Sequence, residues 1–220
     1  TASAHIRAMR SCANGRFEYQ LQAEIEHEFA LNGARSAASP PIVGGGKNGC
    51  VLHYVENKDV LSEGDLVLID AGCEFAHYAA DVTRTFPVSG NFSKAQRAIY
   101  DIVLCAQRAA IRQVFPGNKC NLPHEVAVRA ITKGLLDLGL LKGTLSKLIK
   151  SNAYREFYMH RTGHWLGLDV HDCGDYRVNG GWREFEPGMV LTVEPGIYIS
   201  ADNEQVLRRW RGIGIRIEDD

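Results

Sequence analysis

No apolar run in the 220-residue chain approaches the ~18 residues that a bilayer-crossing helix needs, so no segment reads as a membrane span. Charge of one sign is not in excess either: 25 Lys and Arg face 26 Asp and Glu, for a net charge of −1. The basic footprint of a nucleic-acid binder is therefore missing. There is no CxxC pair. Cys12, Cys50, Cys73, Cys105, Cys120 and Cys173 lie at least 15 positions apart, which fits neither a zinc module nor a disulfide scaffold. They read as buried or semi-buried free thiols of a reducing, cytoplasmic compartment. Collagen-like periods and low-complexity tracts are absent. Thr1 opens the chain and no basic-then-apolar leader follows, a pattern that a trimmed or excised chain shares. What is present is ordinary for a globular protein: 45% hydrophobic and 23% charged residues, in a chain long enough to bury a core without staples.

Helical signals fill residues 1–33, where Phe17, Leu21, Ile25 and Phe29 recur every four positions. Asn14-Gly15 breaks this stretch into two expected helices, and Asn32-Gly33 ends the second. Pro40-Pro41 and Gly44-Gly45-Gly46 mark a loop. Asp65 to Asp70 and Ala79 to Phe86 read as strands. Ser93 with Gln96 forms a capping box that opens a helix running to Phe115, closed by Pro116-Gly117. Leu122 to Leu141 reads as another helix, and Met189 to Val193 and Ile213 to Ile217 as strands. The order of helices, strands, helices, strands predicts an α+β fold with helices covering one face of a curved sheet.

One internal similarity carries chemical information. Gly64–Gly72 (GDLVLIDAG) lies on Gly188–Gly196 (GMVLTVEPG) without a gap, at an offset of 124 residues. Each copy is an apolar strand ending in an acid, Asp70 or Glu194. Each is followed by a further strand with an acid, Asp81 or Glu218. Duplication explains this coincidence, and two similar halves packed face to face would bring four carboxylates to one cleft. Alternation puts Asp70 on a face with Leu66 and Leu68, and Glu218 on a face with Gly214 and Arg216, opposite Ile213, Ile215 and Ile217. Four converging carboxylates need protons or cations between them, and two divalent ions balance their charge.

The segment from Met159 to Asp172 supplies nitrogen donors, with His160, His164 and His171 within twelve positions. Four carboxylates with one imidazole suit Mn²⁺, Co²⁺, Fe²⁺ or Zn²⁺ better than a thiolate-preferring ion. The His160–His164 spacing is that of a zinc-protease helix, but Arg161 stands where that motif needs Glu and Gly163 is a poor helix former. That motif is rejected.

Five segments together resemble a known family: NGCVLHY at 48–54, LVLIDAGCEFAHYAADVTRTFPVSG at 66–90, HRTGHWLGLDVHD at 160–172, EPGMVLTVEPGIYI at 186–199 and RGIGIRIEDD at 211–220. They are similar to the catalytic domain of the Xaa-Pro aminopeptidases, in the methionine aminopeptidase/prolidase superfamily. DVTRTFP and HWLGLDVHD point to the proline-specific branch. The resemblance implies a pita-bread fold, with two pseudo-symmetric halves and a curved antiparallel sheet covered by helices. It implies that residues 1–220 are the metallopeptidase catalytic domain, excerpted from a longer chain with an additional N-terminal domain and a continuing last strand.

The same resemblance implies two divalent ions, manganese first and cobalt or zinc next. Asp70 would chelate one, Asp81 and Glu218 would bridge both, and His164 and Glu194 would complete the second. His53, His160 and His171 fall at non-ligand active-site positions, and Arg216 beside the bridging glutamate. The implied reaction is hydrolysis of the N-terminal Xaa-Pro bond by a metal-bridging hydroxide. Glu194 would pass a proton to the leaving nitrogen, and His171 or His160 would stabilise the oxyanion. Asp172 or a backbone carbonyl would fix the His171 tautomer. The expected partners are peptides with proline at the second position, and the full-length protein is expected to be a homo-oligomer. A prolidase acting on Xaa-Pro dipeptides is the alternative. A non-catalytic pita-bread binding module is less favoured, because all five ligand positions are filled.

Overall fold

The computed structural model describes residues 1–220. Helices α1 (Ala2–Ser11) and α2 (Glu18–Leu31) come first, separated at Asn14-Gly15 as expected. Strands β1 (Ser36–Ala37), β2 (Ile42–Gly45), β3 (Leu66–Asp70), β4 (Cys73–Phe75), β5 (Tyr78–Ala79) and β6 (Thr83–Pro87) follow. Helices α3 (Lys94–Ile111), α4 (Leu122–Asp137) and α5 (Leu145–Lys150) precede β7 (Arg177–Val178), β8 (Gly181–Trp182), β9 (Gly196–Ile199) and β10 (Ile213–Arg216). All strand pairings are antiparallel: β2–β3–β6, β9–β10, β1–β4–β5 and β7–β8.

Each half buries one sheet face under helices. In the first, Ala4, Ala8, Leu21, Ile25 and Phe29 pack on Val43, Val67 and Ile69. In the second, Ile99, Val103, Ile131 and Leu135 pack with Ile197, Ile199, Ile213 and Ile215. Period-two alternation then turns the intervening residues the other way. Leu68 and Tyr198 meet there with Ile42 and Tyr54, between the halves. An isolated bridge pairs Thr83 with Glu218 across the two halves. The Thr85 hydroxyl reinforces it, donating to the Arg216 carbonyl (2.9 Å) and accepting from the Arg216 N–H (3.2 Å). Close approach here depends on glycine: a Cβ on Gly214 would sit 2.1 Å from the Gly49 carbonyl oxygen.

Several local expectations need correction. Residues 42–45 form an edge strand rather than a loop; the buried pair Ile42-Val43 outweighs the flanking prolines and glycines. The strand expected over 79–86 is interrupted at 80–82, where Asp81 turns into the cleft. The α4 helix stops at Asp137, and α5 follows after Gly139 and Gly143, both with positive φ. Residues 189–193 form no ladder and are held by single bridges, Trp165 to Leu191 and Val193 to Asp219. The second copy of the repeat is therefore looser than the first. The six thiols are free; Cys105 and Cys173 are exposed and the others half-buried.

Candidate active site

The four acids arrive from four chain segments. Asp70 ends β3, Asp81 lies between β5 and β6, Glu194 precedes β9 and Glu218 follows β10. Backbone bonds fix their heights. The Glu194 N–H donates to the Thr162 carbonyl (2.7 Å), the Glu218 N–H to that of Thr83 (3.1 Å) and the Thr192 N–H to that of His164 (2.9 Å). The histidine segment thus runs alongside residues 192–194. Gly163 permits this, because a Cβ there would lie 1.9 Å from the Thr192 carbonyl oxygen. All nine predicted site residues line one cavity of about 910 Å³: Asp70, Asp81, His164, Glu194 and Glu218 with His53, His160, His171 and Arg216.

At its floor, ligand atoms of Asp81, His164 and Glu218 lie within 4.8 Å of one another. His164 Nε2 stands 3.4 Å from Asp81 Oδ2 and 3.8 Å from Glu194 Oε1. The other ring nitrogen, Nδ1, donates to the Trp165 carbonyl (3.0 Å). A neutral ring held this way turns its Nε2 lone pair towards carboxylate oxygens, which only a proton or a cation between them can reconcile. Asp81 Oδ1 is buried and has no hydrogen-bond partner. An orphaned carboxylate oxygen beside an imidazole lone pair, in an oxygen-rich donor set, fits a divalent cation.

Electrostatics agree. Burial pushes Asp81 up to about 6, with Asp70 adding to the rise and His164 opposing it. Burial likewise raises Glu194 to about 7 against the pull of Arg216 and His164, and lifts Glu218 well above the carboxylate range. His164 is raised despite desolvation, through its contact with Asp81 and nearby carboxylates. Groups that resist giving up protons in the absence of a cation are what a cation site desolvates.

The histidines divide. His160 Nδ1 lies 2.7 Å from the Arg161 carbonyl, to which it donates, so its Nε2 accepts from the Tyr198 hydroxyl (2.9 Å). Desolvation and Arg216 hold this ring neutral, with its pKa lowered to about 4. Tyr198 in turn accepts from Arg216 Nη1 (2.9 Å). Both His160 nitrogens are engaged. His171 is exposed, makes no side-chain hydrogen bond and stands edge-on to His164 at 4.4 Å. Neither Asp172 nor a carbonyl fixes its tautomer, contrary to expectation. Arg216 binds Asp70 through Nη2, and its Nε donates to the Thr83 hydroxyl (3.2 Å), which in turn donates to Glu218 Oε2 (2.6 Å), so the guanidinium is tied directly to Asp70 and through Thr83 to Glu218.

Sequence reasoning missed Tyr198. The signal was in GIYI, where Ile197 and Ile199 alternate with it exactly as the isoleucines of IGIRI alternate with Arg216, and β9 pairs with β10. It also missed a buried support behind the site, in which the Thr162 hydroxyl joins His124 Nδ1 (2.8 Å) and the Tyr158 hydroxyl (2.5 Å). His124 is distant in sequence, and nothing local marks it.

A cleft of four carboxylates and a metal-ready imidazole, set between two helix-covered antiparallel halves, defines the class: a pita-bread fold with a candidate divalent-metal site. The chain belongs to metallopeptidase family M24, whose profile matches residues 1–220. It is 55% identical over 219 residues to the Xaa-Pro aminopeptidase of Haemophilus influenzae, covering 100% of this chain and 50% of that protein. Its structure superposes on aminopeptidase PepP of Pseudomonas aeruginosa with a TM-score of 0.99 at 58% identity, again over 100% of this chain and 50% of that one. A zinc-substituted Escherichia coli aminopeptidase P in complex with product matches at a TM-score of 0.96 and 55% identity, with the same coverage. The chain thus spans about half the length of the relatives it matches.

Proposed function

We propose that this chain carries the active site of an aminopeptidase that releases the first residue of peptides with proline in second place. The observation that carries the reading is the convergence of all nine predicted residues on one cavity. The site is proposed to take two divalent ions, manganese in preference to cobalt or zinc, held by Asp70, Asp81, His164, Glu194 and Glu218. The four carboxylate charges support that stoichiometry. When bound, such ions supply Lewis-acid polarisation and a lowered pKa for water.

The chain's own residues supply the rest. Glu194, which burial keeps near neutrality, is placed to hold a proton and hand it to the leaving nitrogen. Arg216 fixes Asp70 through Nη2 and, through Tyr198, fixes the His160 ring. With both nitrogens of His160 engaged, the oxyanion donor is assigned to His171, whose ring is free and faces the cavity.

The test is hydrolysis of Xaa-Pro-Xaa peptides by the full-length protein with manganese, against the same peptides with alanine for proline. Proline-dependent release, abolished by chelation, supports the reading. Equal rates on both series, or activity confined to Xaa-Pro dipeptides as in a prolidase, overturn it. Asp81→Ala is expected to disable both metal positions, and metal content after gel filtration checks this. A homo-oligomeric full-length protein and a cytoplasmic location are further proposals; the first rests on the resemblance alone and the second on the free thiols.

A further inference from the structure

The buried support behind the site has a direction, and its heavy atoms fix it. Tyr158 is fully buried and Thr162 is 2% exposed. The Thr162 hydroxyl touches the Tyr158 hydroxyl (2.5 Å) and His124 Nδ1 (2.8 Å), and none of the three atoms has another hydrogen-bond partner. A proton on His124 Nδ1 would be donated to Thr162. Either the Thr162 or the Tyr158 hydrogen would then be buried with no acceptor. With Nδ1 bare, every group is satisfied: Tyr158 donates to Thr162, and Thr162 donates to the ring nitrogen. The ring proton then sits on Nε2, which is not among the buried unpaired side-chain atoms. Burial, helped by Arg161 and Arg155, lowers the His124 pKa to about 4 and keeps the ring neutral.

Thr162 stands midway between His160 and His164. Its carbonyl accepts from the Glu194 N–H (2.7 Å), so its position sets that of Glu194. Gly163 follows without a side chain, which leaves the Thr162 hydroxyl as the last side-chain anchor before His164. On the other side, the Tyr158 ring meets the His160 ring edge-on at 5.0 Å. His124 lies in the first turn of α4, whose Ala127, Ile131 and Leu135 belong to the core of the second half. The catalytic segment is thereby tied to a packed helix by one hydroxyl.

We propose that Tyr158, Thr162 and His124 form a one-way hydrogen-bond chain ending on His124 Nδ1, and that Thr162 and His124 are positioning residues for Glu194 and His160. The direction of the chain stands on its geometry, and the positioning role rests on the aminopeptidase reading of Glu194 and His160.

The direction is tested by imidazole-nitrogen NMR of the zinc-loaded full-length protein at neutral pH, with the His124 resonances assigned by their loss in His124→Asn. An unprotonated Nδ1 is expected, and a protonated one overturns the chain. The role is tested with Thr162→Val, which keeps the shape and removes both bonds. On Ala-Pro-Ala with manganese its kcat is expected to fall about tenfold at unchanged KM, and its zinc Kd to rise about tenfold. Thr162→Ser restores the hydroxyl and is expected to recover both. It also deletes a buried methyl, so a Tm that falls while kcat recovers separates positioning from packing. If Thr162→Val does not fold, His124→Leu against His124→Asn repeats the comparison, because the Asn amide oxygen can accept where Nδ1 did. Parent-like kcat and zinc Kd in the variants lacking the bond overturn the positioning role. The tautomer and the zinc Kd are read without a peptide. A protein that shows both effects but cleaves no Xaa-Pro bond keeps the chain and loses the aminopeptidase reading.

Discussion

His164 and His171 touch edge to face, yet their surroundings assign them different work. His164 is half-buried, with Nδ1 committed to the Trp165 carbonyl and Nε2 turned to Asp81 and Glu194. His171 is exposed, and its pKa is lowered by desolvation and by the neighbouring His164, which favours the neutral ring. His171→Ala is expected to keep the metal and the fold while losing about 10²–10³ in kcat, the effect of removing one oxyanion donor. His164→Ala is expected to lose metal. Metal content and kcat on both variants decide the matter; metal loss in His171→Ala sinks the division. Tyr198→Phe removes the hydroxyl that joins Arg216 to His160. It is expected to lower kcat by about tenfold with metal content intact, because a buried, unpaired His160 nitrogen loses its fixed orientation. A variant with parent-like kcat would show that the His160 tautomer is held without Tyr198.

At the scale of elements, one buried carboxylate organises the loop that carries His53. Glu18, at the start of α2, is fully buried. Its Oε1 accepts from Gly45 N–H (2.7 Å) and Asn48 Nδ2 (3.0 Å), and its Oε2 from the Tyr54 hydroxyl (2.7 Å) and Asp59 N–H (2.9 Å). Glu18→Ala leaves these donors unsatisfied and is expected to cost at least about 3 kcal/mol, read from the urea midpoint; a loss under 1 kcal/mol would mean that water replaces the carboxylate. Gly163→Ala places a methyl against the Thr192 carbonyl and is expected to weaken metal binding by displacing His164. Much of this scale was legible in advance. The α1–α2 break, the Ser93–Gln96 capping box and the acid at the end of β3 are local patterns, and the structure repeats them. Residues 189–193 were misread because alternating apolar residues describe a half-buried extended segment whether or not a partner strand runs beside it. Glu18 and His124 were not legible as site residues, since their partners lie 27 to 41 positions away, whereas the alternation of GIYI did carry a signal for Tyr198. The four acids were legible in the repeat and His160, His164 and His171 in their clustering; His53 and the division of roles came from the family resemblance, and the tautomers only from the packing.

On the scale of the whole molecule, the cleft sets a stability cost that divalent ions reverse, and the sign can be followed through pH. His124 and His160 have pKa values lowered to about 4. A depressed pKa contributes stability that is complete above the unfolded value and lost as pH falls, so these groups are silent above pH ~6.5. Glu194 and Glu218 are raised, as is His164. A raised pKa contributes stability that is present below the unfolded value and lost as pH climbs through the folded one. From about pH 6.5 to 8 only this second group acts, so the chelated protein is expected to lose stability as pH rises. A few kcal/mol across the cluster corresponds to a fall in Tm of about 5–10 °C for a chain of this length. With saturating manganese the slope is expected to invert, because the ligands must shed protons to bind and affinity therefore grows with pH. The two Tm curves should converge towards pH 6.5 and separate towards pH 8. Parallel curves, or a chelated protein whose Tm rises over that window, would mean that the buried carboxylates are relieved by their own hydrogen bonds rather than by cations.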